Sequence, residues 1–275
     1  MLKKRSVRVG SAVAIFVVAL LFTSVLCCFA VCKLYRHEQR QNAEIQFLSQ
    51  EINRLKSEIT PPPNCNWSTD GYNYLAIGNS ITVHGYAEYW WDNDRGMAAS
   101  TDEKDYVHLV KAHLEDTGLP VTMYTMNFSA WEVNGNDRAE FLVNLDPFLS
   151  DRLDLVTIQL GENATNIDTW LTDFSELISY VKEHAPNSQI IVVGDFWSLS
   201  NRDVLKRQAA ELNSVAFVSL DDILGQDEYY AGIGSSVEGK DGEPHFIEHS
   251  GVALHPGDKG MKAIADRIIA VLEQP

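Results

Sequence analysis

Along most of the chain, short apolar runs alternate with stretches whose apolar residues recur every three or four positions. The runs at 74–78, 121–126, 153–160, 189–194 and 215–220 have the length and composition of strands. Between them, 105–114, 137–148, 170–184 and 202–212 carry helical spacing. A last helix over 259–272 sets Met261, Ile264, Ala265, Ile268 and Leu272 on one face. Strands that are apolar throughout are buried on both faces, and strands alternating with helices pair in parallel. The pattern predicts an α/β domain over 70–275, three layers deep (α/β/α), with about five parallel strands.

The first 60 residues follow a different pattern. Residues 11–32 run for 22 positions without a charge, and as a helix they would cover roughly 33 Å, enough for the hydrocarbon core of a bilayer. A cleaved signal has a shorter apolar region of about 7–15 residues ending at a small-x-small site. Here positive charge resumes at Lys33, so the expectation is an uncleaved transmembrane anchor behind a basic segment, 1–10. Lys3, Lys4, Arg5 and Arg8 precede the run and Lys33, Arg36 and Arg40 follow it. The balance favours, by a small margin, a cytoplasmic N-terminus, a single pass of the cell membrane and an extracytoplasmic body. Within 33–60, Ile45, Leu48, Ile52, Leu55 and Ile59 form an a/d seam. It suits either a solitary helical stalk or a short coiled coil that would pair two copies as a homodimer. Pro61-Pro62-Pro63 ends that helix and opens a stiff linker, 61–69.

Charge divides at the same place. The formal charge of -16 joins a head (1–40) with seven Lys/Arg and one acid, Glu38, to a remainder with fifteen Lys/Arg and thirty-seven acids. An acidic body without a basic tract excludes nucleic acid as a partner, because phosphate neutralisation needs clustered cations. Cys27, Cys28 and Cys32 lie in the apolar run, leaving Cys65 alone in the aqueous part. No intradomain disulfide or Cys-based zinc site can form there.

In open α/β sheets, ligands bind beyond the carboxyl ends of the strands. Three turns there carry chemistry in combination. Gly78-Asn79-Ser80 closes the first strand with a hydroxyl toward which a following helix could direct its amides. Gly161-Glu162-Asn163 follows the third strand with an amide able to donate to an oxyanion. His255-Pro256-Gly257 precedes the last helix, where an imidazole could reach back as general base. Taken singly, a serine there is more often an N-cap, the Asn a turn stabiliser and the His merely solvated. Together and in this order, the three blocks resemble the SGNH (GDSL-like) hydrolase superfamily over about residues 70–275.

The resemblance implies a flavodoxin-like domain and a serine esterase that needs no metal or organic cofactor. Ser80 would be the nucleophile and His255 its base. Asn163 and the Ser80 N–H would line the oxyanion hole. The family's further donor is a glycine after strand two; here the turn reads Met126-Asn127-Phe128-Ser129-Ala130-Trp131, so a main-chain N–H of Ser129 or Ala130 would have to serve. The family's aspartate three residues before the histidine is Val252. That leaves a Ser–His dyad held by a backbone carbonyl, an acid from elsewhere such as Glu248, or weak or lost activity. An ester-bearing small molecule or O-acylated glycan near the envelope is the substrate class implied, with acetyl the acyl group. An O-acyltransferase using the same residues and a non-catalytic binding domain are the alternatives.

Other motifs are weaker. His245-Phe246-Ile247-Glu248-His249 matches the inverted zincin pattern, but Pro244 and Gly251 leave too short a helix to bring both histidines to one metal. No G-x-S-x-G elbow is present. Trp91, Trp131 and Trp197 fall near strand ends, where they fit either core packing or a platform for pyranose rings.

Overall fold

Each apolar run becomes a strand in the computed structural model, which describes Lys33 and residues 65–274 apart from 88, 92, 93, 136 and 198–200. The anchor expected at 11–32 and, but for Lys33, the stalk at 33–60 lie outside the described residues. Among the described residues no helix is long and apolar enough to cross a membrane.

The order is β1 (Tyr72–Gly78), α1 (Tyr106–Glu115), β2 (Val121–Asn127), α2 (Ser129–Val133), α3 (Arg138–Phe141), β3 (Leu155–Gln159), α4 (Trp170–His184), β4 (Gln189–Val193), α5 (Arg202–Leu212), β5 (Ala216–Val218), β6 (Ser236–Glu238), β7 (Pro244–Phe246), α6 (Ser250–Ala253) and α7 (Asp258–Leu272). The main sheet runs β2-β1-β3-β4-β5 with every pair parallel, the flavodoxin-type order. The chain leaves β1 toward β2 and then returns to β1's other side, which opens a crevice beyond the carboxyl ends of β1 and β3. Gly78 is in register with both Asn127 and Gln159, so the three turns that the sequence singles out end level with one another.

Alternation along β1 separates the layers. Leu75 and Ile77 pack with Val156, Ile158, Phe174 and Ile178 on one face, while Tyr74 and Ala76 pack with Val110, Ile191, Ile264 and Ile268 on the other. Helices α4 and α5 cover the first face, and α1 and α7 the second. Asp105 caps α1 by accepting from the His108 N–H at 2.7 Å. A third, smaller cluster of Trp90, Met97, Ala98, Val237, Ile247, Val252 and Ala253 joins the loop after β1 to the β6–β7 hairpin and α6.

Two departures from the sequence pattern have local causes. The helix expected over 137–148 breaks into α3 and a 3-10 turn, Leu142–Leu145, because Pro147 cannot donate and crowds the carbonyl four residues back. Trp131, offered as a substrate contact, is fully buried. Its ring lies 5.3 Å from that of Trp170 and 5.8 Å from that of Phe174, with the Arg138 guanidinium 5.5 Å over it. It is core. Trp131→Ala should therefore lower unfolding stability by about 3–5 kcal/mol, read as a fall in the urea midpoint at unchanged slope. Unaltered stability would return Trp131 to the surface platform.

Candidate active site

The turn after β1 is tightly made. A Cβ on Gly78 would stand 1.9 Å from Thr82 Oγ1 and 2.8 Å from the Gln159 carbonyl, so only glycine lets the strand end this close to its neighbours. Asn79 is fully buried. Its Oδ1 accepts the Ile81 N–H at 3.0 Å, and its carbonyl accepts from Thr82 and Val83. This Asx turn presents Ser80, half-buried, beyond the sheet. The helix expected behind Ser80 is not there: residues 81 and 82 are turn, and among the described residues the next helical elements are a 3-10 turn, Asp102–Lys104, and then α1. The loop between them, 83–100, feeds the third cluster instead.

Ser80 and His255 meet although 175 residues separate them. Ser80 Oγ lies 2.8 Å from His255 Nε2, and His255 Nδ1 lies 2.8 Å from the Gly251 carbonyl. A carbonyl only accepts, so Nδ1 carries the proton and Nε2 presents its lone pair to the hydroxyl. Burial pushes the imidazole down from its ordinary value to about 4, opposed by the Gly251 bond. The base is neutral at neutral pH. Trp197 stands edge-on to it at 5.2 Å, and Trp197 Nε1 donates to the Leu254 carbonyl at 2.8 Å.

Glu248 does not orient this histidine. It is exposed, and the place it would fill at Nδ1 is taken by the carbonyl of Gly251, four residues before the histidine on α6. Val252 packs in the third cluster at 1% exposure.

The oxyanion candidates divide. The Ser129 N–H donates to Asn127 Oδ1 at 3.1 Å and is spent within its own turn. The main-chain N–H groups of Ser80 and Ala130 meet no protein acceptor among the described residues. Asn163 Nδ2 gives one hydrogen to Glu132 Oε2 at 2.6 Å, and a second remains.

Behind these donors lies a buried polar network with few sequence cues. Glu132, fully buried on α2, accepts from Asn79 Nδ2 at 3.1 Å and from the Gly161 N–H as well as from Asn163. Glu162 accepts from Asn79 Nδ2 at 2.7 Å, Gln159 Nε2 at 2.7 Å and the Phe196 N–H at 2.8 Å. Burial pushes both carboxyls upward, and the charge of Glu132 raises Glu162 further. Lys206, fully buried on α5, pairs with Asp195 at 2.5 Å and donates to the Leu160 carbonyl at 2.8 Å. Gly161 has φ +150°, and a Cβ there would meet Asp195 Oδ1 at 2.0 Å. The β3 turn is thus fitted against the end of β4.

Around the mouth, Tyr89 stacks on His249 at 4.6 Å and half-exposed Trp91 stacks on His245 at 4.6 Å. His245 also bonds Asp241 at 3.0 Å. The zincin-like motif therefore lies on β7 and the loop after it, with its two histidines turned to different partners. A cavity of about 370 Å³ between Cys65, Trp67, Ser150 and Arg152 sits near the amino ends of the strands, away from Ser80.

No family model matches the chain, and no curated protein does. Among solved structures, it is similar to a family two carbohydrate esterase from Clostridium thermocellum in complex with cellohexaose, at 16% identity and a TM-score of 0.46, covering 75% of this chain and 65% of that one. A two-domain esterase active on acetylated mannans gives 16% identity and a TM-score of 0.47, covering 74% of this chain and 48% of that one. A protein described as a GDSL-like lipase from Parabacteroides merdae gives 18% and 0.47, covering 76% and 98%. The chain thus spans about half to two thirds of the length of the carbohydrate esterases. GDSL-like lipases and family two carbohydrate esterases, the descriptions that two of these neighbours carry, are kinds of SGNH hydrolase.

A neutral, buried His255 has a measurable signature. The rate at which a fluorophosphonate modifies Ser80 should stay level through neutrality and fall only as protonation removes the base, with a midpoint near 4. A midpoint near the ordinary 6.5 would mean that water reaches the imidazole.

Proposed function

We propose that the chain is an SGNH-type serine ester hydrolase working through a Ser80–His255 dyad. The observation that carries this reading is the aligned relay from Ser80 Oγ through His255 to the Gly251 carbonyl, 2.8 Å at each step. Ser80 Oγ attacks the acyl carbonyl carbon while His255 Nε2 takes the hydroxyl proton. The negative oxygen that forms would be met by the Ser80 and Ala130 N–H groups and by the second hydrogen of Asn163. Collapse breaks the ester C–O bond, and the leaving alkoxide takes the proton from Nε2. Water then gives a proton to His255 and attacks the acyl-enzyme, which releases the acid and restores Ser80.

The carbonyl does part of the work of the family's aspartate. Losing that aspartate costs about 10⁴ in rate largely because the histidine takes the wrong tautomer. Here the tautomer is kept, and only charge support for the imidazolium is weaker, a dipole standing in for an anion. Half-exposed Trp91 and Trp197 and exposed Tyr89 support an acetylated carbohydrate as substrate, since aromatic faces suit pyranose rings. The uncharged run 11–32 supports a single-pass anchor, and the small excess of Lys/Arg before it supports a domain outside the cytoplasm.

Full-length protein purified in mild detergent should hydrolyse p-nitrophenyl acetate, and release acetate from an acetylated glycan. Ser80→Ala and His255→Ala should each lower kcat/KM by about three orders of magnitude or more. Equal turnover by Ser80→Ala and the unmutated protein would end the assignment. Val252→Asp should lower activity rather than raise it, because its carboxylate would be buried among Trp90, Met97 and Ile247 while Nδ1 is already engaged. A gain would show that the carbonyl leaves the imidazole under-supported.

A further inference from the structure

We propose that Glu132 is the positioning residue of the oxyanion hole, fixing which face of the Asn163 amide meets the substrate. The proposal rests on the esterase reading above for its catalytic consequence, but not for its structural content.

An asparagine amide is nearly symmetric in shape and opposite in chemistry at its two ends. If Asn163 turned over about its last torsion, a carbonyl oxygen would stand where the N–H donor is needed and would repel an oxyanion. The partner of Asn163 decides between the two. Glu132, when ionised, can only accept, so Asn163 must give it Nδ2, which leaves the second hydrogen of that same nitrogen for the substrate. The other carboxylate oxygen is equally constrained. It accepts from the Gly161 N–H, which cannot turn over, and from Asn79 Nδ2. Asn79 is locked in turn because its Oδ1 holds the Ile81 N–H. Glu132 itself is held where it is: its main-chain carbonyl accepts from Arg138 at 3.0 Å, and Arg138 also bonds the Trp131 carbonyl, the Asn166 carbonyl and Asp173. One carboxylate thereby ties the turn after β1, the helix after β2 and the turn after β3.

Glutamine at 132 keeps the shape and removes one acceptor. Its carbonyl must stay with Gly161 and Asn79, since neither can cease to donate. Its NH₂ then faces Asn163, which turns over to accept. Glu132→Gln should therefore leave the fold intact and present the oxyanion with the wrong atom. The expected loss is the value of one oxyanion donor, about 10²–10³ in kcat, with KM little changed.

The test has two arms on the full-length protein. In the first, NMR of the ¹⁵N-labelled side-chain amides compares Asn163 in the unmutated and Glu132→Gln proteins, with Asn163→Ala used to assign it. The Nδ2 proton on the carboxylate should be shifted downfield and protected from exchange, and both properties should vanish in Glu132→Gln. Their persistence overturns the proposal whether or not the protein is active. In the second arm, p-nitrophenyl acetate hydrolysis is measured for Glu132→Gln, Asn163→Ala and the double variant. If Glu132 acts through Asn163, the double variant is no slower than Asn163→Ala alone. Multiplying losses overturn it. A vanished amide signature in a protein with no esterase activity would count against the proposed function and for the positioning role.

Discussion

The site depends on carboxylates held out of water at the ends of a parallel sheet. Glu132 and Glu162 lie behind Ser80 and Asn163, and an isolated buried carboxylate is costly unless donors replace its hydration. Each receives three hydrogen bonds here, one of them from a main-chain N–H just beyond a strand, Gly161 after β3 and Phe196 after β4. The donors are satisfied only when β1, β3 and β4 end in register, and the carboxylates are tolerable only when those donors arrive. Fold and site therefore specify one another. Lys206 extends the arrangement by placing a cation against Asp195 and the Leu160 carbonyl, which brings positive charge to a cluster otherwise built of acids. The two glycines of the network, Gly78 and Gly161, are where side chains would collide with Thr82 and Asp195.

Within that frame, His255 is supported by a neutral group. An aspartate in place of Val252 would set a carboxylate in the apolar cluster of Trp90, Met97 and Ile247, where burial disfavours its charge. A carbonyl fixes the same tautomer without a further charge. The trade is a weaker hold on the imidazolium during the reaction, and a resting base that stays unprotonated well below neutrality.

Much of this was legible in the sequence and some could not be. The strands were readable because each is a short apolar run buried on both faces, and α7 because Met261, Ile264, Ala265 and Ile268 share one face. Ser80, Asn163 and His255 could be picked out because each stands at a turn beside glycine or proline. Glu132 was hidden among 38 acids; its one signal was its place inside an otherwise apolar stretch, between Trp131 and Val133. Lys206 gave a similar sign, falling on the same helical face as Ala209 and Ala210. Gly251 gave none. Its contribution is a main-chain carbonyl, which every residue has, so the sequence could offer a carbonyl as one alternative without naming its residue; Glu248, the acid offered beside it, stays in solvent.

The two halves of the relay rest on different foundations. Ser80 lies in the tight turn just past β1, a central strand flanked by β2 and β3, so its position is tied to the main core. His255 stands between two layers: Pro256 and Gly257 lead into α7 of the main core, while Gly251, which holds its Nδ1, and Val252 lie on the four-residue α6, where Val252 packs in the small cluster with Trp90, Met97, Val237 and Ile247. The His255 carbonyl accepts from Ala231 and the Ala253 carbonyl from Gly232, which binds the histidine's loop to the segment before the β6–β7 hairpin. A cluster of seven buried residues stabilises its layer far less than the two cores beside the sheet. The orientation of the imidazole toward Ser80 consequently depends on how well that smaller layer, which carries the Gly251 carbonyl, seats on the sheet. Disturbance of that small cluster should then be felt at His255 before it is felt by the fold.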